Sequence, residues 1–116
     1  MVTSERYGMI AAVCGIAGWG GYGDAEQLHA MISALRHRGP DEVGFWQQPN
    51  AALGIARLSI IDVSGGHQPV FSMSGSVVAV LNGEIYNYRE LAAKLQARGV
   101  SLQSNGDAEV IPHLYE

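Results

Sequence analysis

At 116 residues, 47% of them apolar, the chain has material for one small domain with a hydrophobic core. Its 7 Lys and Arg are scattered among 11 Asp and Glu, so the net charge is −4 and no basic patch points to nucleic acid or to an anionic membrane. A single cysteine excludes an internal disulfide and a thiolate metal cluster, the four histidines show no zinc-ligand spacing, and a free thiol suits a reducing cytoplasm.

The opening stretch "MVTSERYGMIAAV" shows no sustained period, no capping signal and no targeting pattern. Its apolar run, Met9 to Val13, is shorter than the roughly 7 to 15 residues of an export-signal core, and no stretch of the chain is long enough to span a membrane. Cys14 to Trp19 reads as a first buried strand, ended by Gly20-Gly21-Tyr22-Gly23. Asp24 with Gln27 three residues on has capping-box spacing, and Leu28, Met31, Ile32 and Leu35 line one helical face. Arg36, His37 and Arg38 then fall in the last turn, before Gly39-Pro40 stops the helix.

Val43 to Gln47, Ala52 to Ile61 and Ser76 to Leu81 are expected strands, separated by Pro49-Asn50 and by a loop from Asp62 to Pro69. Asn82-Gly83 turns the chain. Asn87 and Glu90 again have capping-box spacing, opening a helix with Leu91, Ala92 and Leu95 on one face and closing at Arg98-Gly99. Val100 to Gln103 reads as a short strand, and Asp107 is placed to cap a third helix that Pro112 should distort. That helix has no closing signal and the sheet faces are half covered, so the domain is expected to be truncated at its C-terminus.

Several polar residues border apolar strands: Arg57 within "GIARLSII", Asn82-Gly83-Glu84 after "VVAVL", and Asp107 after "SNG". Charge beside a core costs free energy unless paired or solvated, so these positions indicate a pocket or internal ion pairs. Taken singly, each is more readily structural. Cys14 followed by Gly15 suits a nucleophile that a substrate must approach, although an unpaired cysteine also packs as a small hydrophobe. Ser64-Gly65-Gly66 resembles the start of a phosphate loop, but His67-Gln68-Pro69 follows without a lysine, and it reads as a turn.

Five ordered segments, "CGIAGWG", "LRHRGPDEVG", "RLSIIDVSGGHQP", "NGEIYNYREL" and "GDAEVIPHLYE", together resemble the N-terminal glutaminase domain of glutamine-dependent asparagine synthetases. The resemblance runs from Cys14 to Glu116. "HRGPD" and "NGEIYNY" separate it from sister amidotransferases that make glucosamine phosphate or phosphoribosylamine.

The resemblance implies an α+β chain with the four-layer αββα fold of N-terminal-nucleophile hydrolases, and hydrolysis of L-glutamine to glutamate and ammonia. Cys14 would attack the side-chain amide and form a glutamyl thioester. The Asn82 side chain and the Gly83 N–H would form the oxyanion hole. Arg57 would hold the glutamine α-carboxylate, with Leu58, Ser59, Ile60 and Ile61 lining the pocket, while Glu84 and Asp107 would receive the α-ammonium. His37, Arg38 and Asp41 would brace the loop beside the nucleophile.

In such enzymes the base is the α-amine of the cysteine itself, which requires Cys14 to be the first residue. Residues 1–13 are therefore expected to be an extension: a start assigned too early at a gene whose codon 13 is GUG, a propeptide removed before Cys14, or a permanent block that leaves the domain inactive. Residues 14–116 would be the amidotransferase domain, incomplete at its C-terminus. No metal or cofactor is expected in this chain. ATP and Mg would belong to a missing C-terminal synthetase domain that amidates aspartate, and a homodimer is compatible with the family. The rival readings are a non-catalytic amidotransferase-like scaffold and a module that binds an amino acid without turnover.

Overall fold

The computed structural model describes residues 14–58 and 67–116. The expected extension at 1–13, the residues Ser59, Ile60 and Ile61, and the Ser64-Gly65-Gly66 turn lie outside the described residues.

Strands β1 (Gly15–Gly20), β2 (Glu42–Gln48) and β3 (Ala51–Arg57) form an antiparallel sheet in the order β1-β3-β2. Helix α1 (Ala25–Ala34) packs on one face. Asp24 accepts the Gln27 N–H at 2.8 Å and Gln27 returns the bond at 3.0 Å, the reciprocal cap expected from their spacing. Leu28 and Ile32 of α1 meet Ala52 and Ala56 of β3 to make the core, with Ala17, Trp19, Leu35 and Val43 packed around them. Small residues on the sheet let the helix come close: a Cβ on Gly54 would stand 2.7 Å from Ile32 Cγ1.

Because side chains alternate along a strand, Leu53, Ile55 and Arg57 face away from α1, as do Glu42 and Gly44 of β2. Ile55 is nevertheless fully buried. The backbone of Gln68 crosses this second face at Gly44, where an added Cβ would collide with the Gln68 carbonyl.

Strands β4 (Val70–Phe71) and β5 (Val78–Ala79) form a two-stranded ribbon, followed by α2 (Tyr88–Ala97), a 3-10 turn over Asp107–Glu109, and α3 (Val110–Tyr115). On α2, Lys94 bonds Glu90 at 2.7 Å and holds that carboxyl below the usual range. Among the described residues no helix is long and apolar enough to cross a membrane.

Several expected elements are corrected. Helix α1 ends at Ala34, so Arg36, His37 and Arg38 do not form its last turn. They lie in tight turns, with Arg36 N–H on Ser33 O and Arg38 N–H on Leu35 O, that lead Gly39 against β3. Asn87 makes no side-chain cap, because its backbone (φ −97, ψ 24) is not extended. Asp107 does not cap α3 either, its carboxylate being engaged elsewhere. Pro112 falls in the first turn of α3, where its missing N–H has no helical acceptor to lose, and the preceding 3-10 turn takes up the irregularity.

The strand expected at Val100 to Gln103 does not form: the N–H groups of Gln103 and Ser104 go to the buried carboxylate of Glu109. The strand expected at Ser76 to Leu81 shrinks to β5 for the same kind of reason. Ser76 N–H goes to Ser74 Oγ, Val77 N–H to Ser72 Oγ and Leu81 N–H to Gln68 Oε1.

Candidate active site

Cys14 stands one residue before β1, half-buried. The register that pairs Gly15 with Ala56 carries it to the end of β3. There its Sγ accepts the Leu58 N–H at 3.4 Å and lies 4.0 Å from the Leu58 carbonyl oxygen. Arg38 Nε donates to the Cys14 carbonyl at 3.4 Å. The turn bearing Arg38 can sit so close because Gly39 has no Cβ; one would strike the Ala56 carbonyl and the Arg57 nitrogen. The thiol therefore sits on rigid backbone.

Arg57 is buried, and its Nη1 donates to Glu42 Oε2 at 2.9 Å. These two residues are direct cross-strand partners. The other carboxylate oxygen of Glu42 meets His67 Nδ1. Glu42 was not among the residues expected from sequence. Its signal was the two-residue turn Pro49-Asn50: once Gln48 pairs with Ala51, counting back along both strands places Glu42 opposite Arg57.

Asn82, Gly83 and Glu84 lie exposed on the loop between β5 and α2. Hydrogen bonds hold the loop at both ends. Leu81 N–H donates to Gln68 Oε1 at 2.7 Å, and Ile85 N–H donates to Asp107 Oδ2 at 2.8 Å. Asp107 and the Asn82-Gly83-Glu84 loop are thus brought together, as are Cys14, Leu58 and Arg57. Glu42, His67 and Gln68 stand between the two groups.

A cleft of about 610 Å³ borders His67 and is otherwise lined by Val70, Ser72, Gln103, Glu109 and His113 among others. None of Cys14, Arg57, Asn82 or Asp107 lines it. Among the described residues no group of three or more His, Cys, Asp or Glu side chains is placed to hold a metal ion.

A family model described as a glutamine amidotransferase domain matches residues 13–116. The chain belongs to this family. The amidotransferase domain is 42% identical over 89 residues to asparagine synthetase [glutamine-hydrolyzing] 2 of Bacillus subtilis (strain 168), a match that covers 77% of the domain's chain and 12% of the relative. It is 48% identical over 82 residues to asparagine synthetase [glutamine-hydrolyzing] of Zea mays, covering 71% and 14%. With asparagine synthetase [glutamine-hydrolyzing] 1 of Arabidopsis thaliana, the identity is 38% over 109 residues, covering 90% and 18%. The amidotransferase domain thus spans less than a fifth of the length of these relatives.

Proposed function

We propose that the chain supplies the glutaminase activity of an asparagine synthetase, releasing ammonia from L-glutamine through a thioester on Cys14. The observation that carries this reading is the half-buried Cys14 thiol seated against Leu58, next to the buried cation Arg57. Free glutamine is a zwitterion, so its recognition needs a cation and anions at fixed separation. Arg57 takes the α-carboxylate, and Asp107 and Glu84 take the α-ammonium. Leu58, whose N–H meets the thiol, lines the glutamine pocket, and the resemblance assigns Ser59, Ile60 and Ile61 to the same pocket.

Chemically, the sulfur adds to the side-chain carbonyl carbon, and the carbonyl oxygen becomes an oxyanion held by the Asn82 amide and the Gly83 N–H. Each such donor contributes about 2.7–4 kcal/mol. The base is the α-amine of Cys14, whose reference pKa of about 7.7–8.0 lets it take the thiol proton and pass it to the departing nitrogen. The C–N bond breaks and ammonia leaves. Water then adds to the thioester, glutamate departs and the thiol is restored.

The α-amine is free only when residues 1–13 are absent from the mature protein, through initiation at codon 13 or removal of a propeptide. The domain completes the four-layer αββα fold within the longer protein. Ammonia passes to a synthetase domain outside this chain, where ATP with Mg²⁺ activates aspartate, and no step assigned to this chain runs through those groups.

The test uses the full-length protein expressed from its native gene, with intact mass and N-terminal sequencing first. A mature chain beginning at Cys14 is expected, and retention of Met1 would refute the α-amine as base. In the same protein Cys14→Ala should abolish ammonia release from glutamine while leaving the circular dichroism spectrum unchanged. Substantial residual activity would remove Cys14 as nucleophile and favour a scaffold or binding module.

A further inference from the structure

The loop that carries Asn82 and Gly83 is exposed, so packing does little to hold it where an oxyanion would form. Among the described residues its N-terminal end is tied by the 2.7 Å contact from Leu81 N–H to Gln68 Oε1. Gln68 does not belong to the β4–β5 ribbon from which the loop emerges. Its backbone is seated on the three-stranded sheet, where its carbonyl occupies the space a Gly44 side chain would fill. That sheet also carries Cys14, through the pairing of β1 with β3 and of β3 with β2.

The carboxamide of Gln68 therefore spans from the nucleophile's sheet to the residue just before the oxyanion donors. A thiol and its oxyanion donors must be fixed relative to each other, since a misplacement of about 1 Å can cost roughly 100-fold in rate. We propose that Gln68 is a positioning residue that sets the Asn82–Gly83 donors against the sheet bearing Cys14. This rests on the oxyanion-hole assignment made above. The bond needs only an acceptor oxygen at the end of a three-carbon reach, so glutamate can replace glutamine but leucine and asparagine cannot.

The test is steady-state glutamine hydrolysis by the full-length protein, read as ammonia release. Gln68→Leu should lower kcat by roughly 10- to 100-fold with KM for glutamine within about threefold, because the contact it misplaces, that of the Asn82 and Gly83 donors with the oxyanion, is made only in the transition state. Gln68→Glu, which keeps the acceptor, should return kcat to within about threefold of the parent. Gln68→Asn, one methylene short, should behave like the leucine variant and carries the test if that variant does not fold. In an Asn82→Ala background, Gln68→Leu should cost less than in the parent, since only the Gly83 donor is then left to position.

A parent-like kcat in Gln68→Leu or Gln68→Asn, alongside a low kcat in Asn82→Ala, would overturn the inference while leaving the oxyanion assignment intact. So would equal losses in the glutamate and leucine variants. An unchanged kcat in Asn82→Ala would instead remove the assignment itself, and the inference with it.

Discussion

Among the described residues Arg57 gives Nη1 to Glu42, and in the proposed complex its remaining donors take the substrate α-carboxylate. Arg57→Ala should therefore raise KM for glutamine by about 30-fold or more, as expected when one partner of a desolvated charge pair is lost at roughly 2–5 kcal/mol. Asp107 has two duties that substitution can separate. One oxygen accepts the Ile85 N–H, and the charge as a whole faces the α-ammonium in the proposed complex. Asp107→Asn keeps an accepting oxygen and loses the charge, so KM should rise while kcat holds. Asp107→Ala loses both, so kcat should fall as well, because the loop bearing Asn82 is then untied at its C-terminal end. Identical kinetics for the two variants would show that the Ile85 bond does not matter to turnover, and an unchanged KM in both would return Asp107 to a structural role.

At the level of elements, the contact that seats the nucleophile is a backbone-to-backbone approach between the turn at Gly39 and the end of β3. Gly39→Ala would drive a methyl into the Ala56 carbonyl, which has no freedom to move aside within a paired strand. A loss of about 2–3 kcal/mol is expected from overpacking at such a site, measured as a lower urea midpoint with unchanged slope. An unchanged midpoint would mean that the turn yields. Gly39 was legible in the sequence only as a helix stop, since the neighbour it makes room for is distant in the chain. The two capping-box spacings show the same limit. Asp24-Gln27 forms its box and Asn87-Glu90 does not, because the deciding quantity is the backbone angle at the cap, and this depends on how the preceding loop arrives. The β2–β3 register was within reach of the turn length. By contrast, nothing local in residues 100–104 announces that Glu109 will claim the N–H groups a strand would need. Of the site, the grouping of Cys14 with Arg57 came only from the resemblance, because it depends on the pairing of β1 with β3, whereas the part played by Glu42 required the β2–β3 register.

For the whole molecule, the described residues fall into a sheet-and-helix body around β1–β3 with α1, and a second group made of β4, β5, α2 and α3. The shortest principal extent is 19 Å, room for a helix layer on a sheet, whereas four stacked layers at about 10 Å spacing need roughly 30 Å between the outer ones. In the proposed four-layer fold a further layer would cover the face bearing Ile16 and Trp46, which a structure of the protein expressed from its native gene would show. Glu42 and Arg57 also bear on a variable independent of sequence changes, the ionic strength. Their side chains are 24% and 11% exposed, against 62% and 65% for Glu90 and Lys94 on α2. Mobile ions screen surface charges over about 10 Å at 0.1 M and about 3 Å at 1 M, but penetrate poorly to a buried pair. Glutamine carries no net charge, so the net charge of −4 neither attracts nor repels it over distance. Raising sodium chloride from 0.05 to about 1 M should consequently leave KM for glutamine within roughly twofold while the Glu90–Lys94 attraction fades. A KM that climbed steeply with salt would place the substrate carboxylate on an exposed cation instead of Arg57.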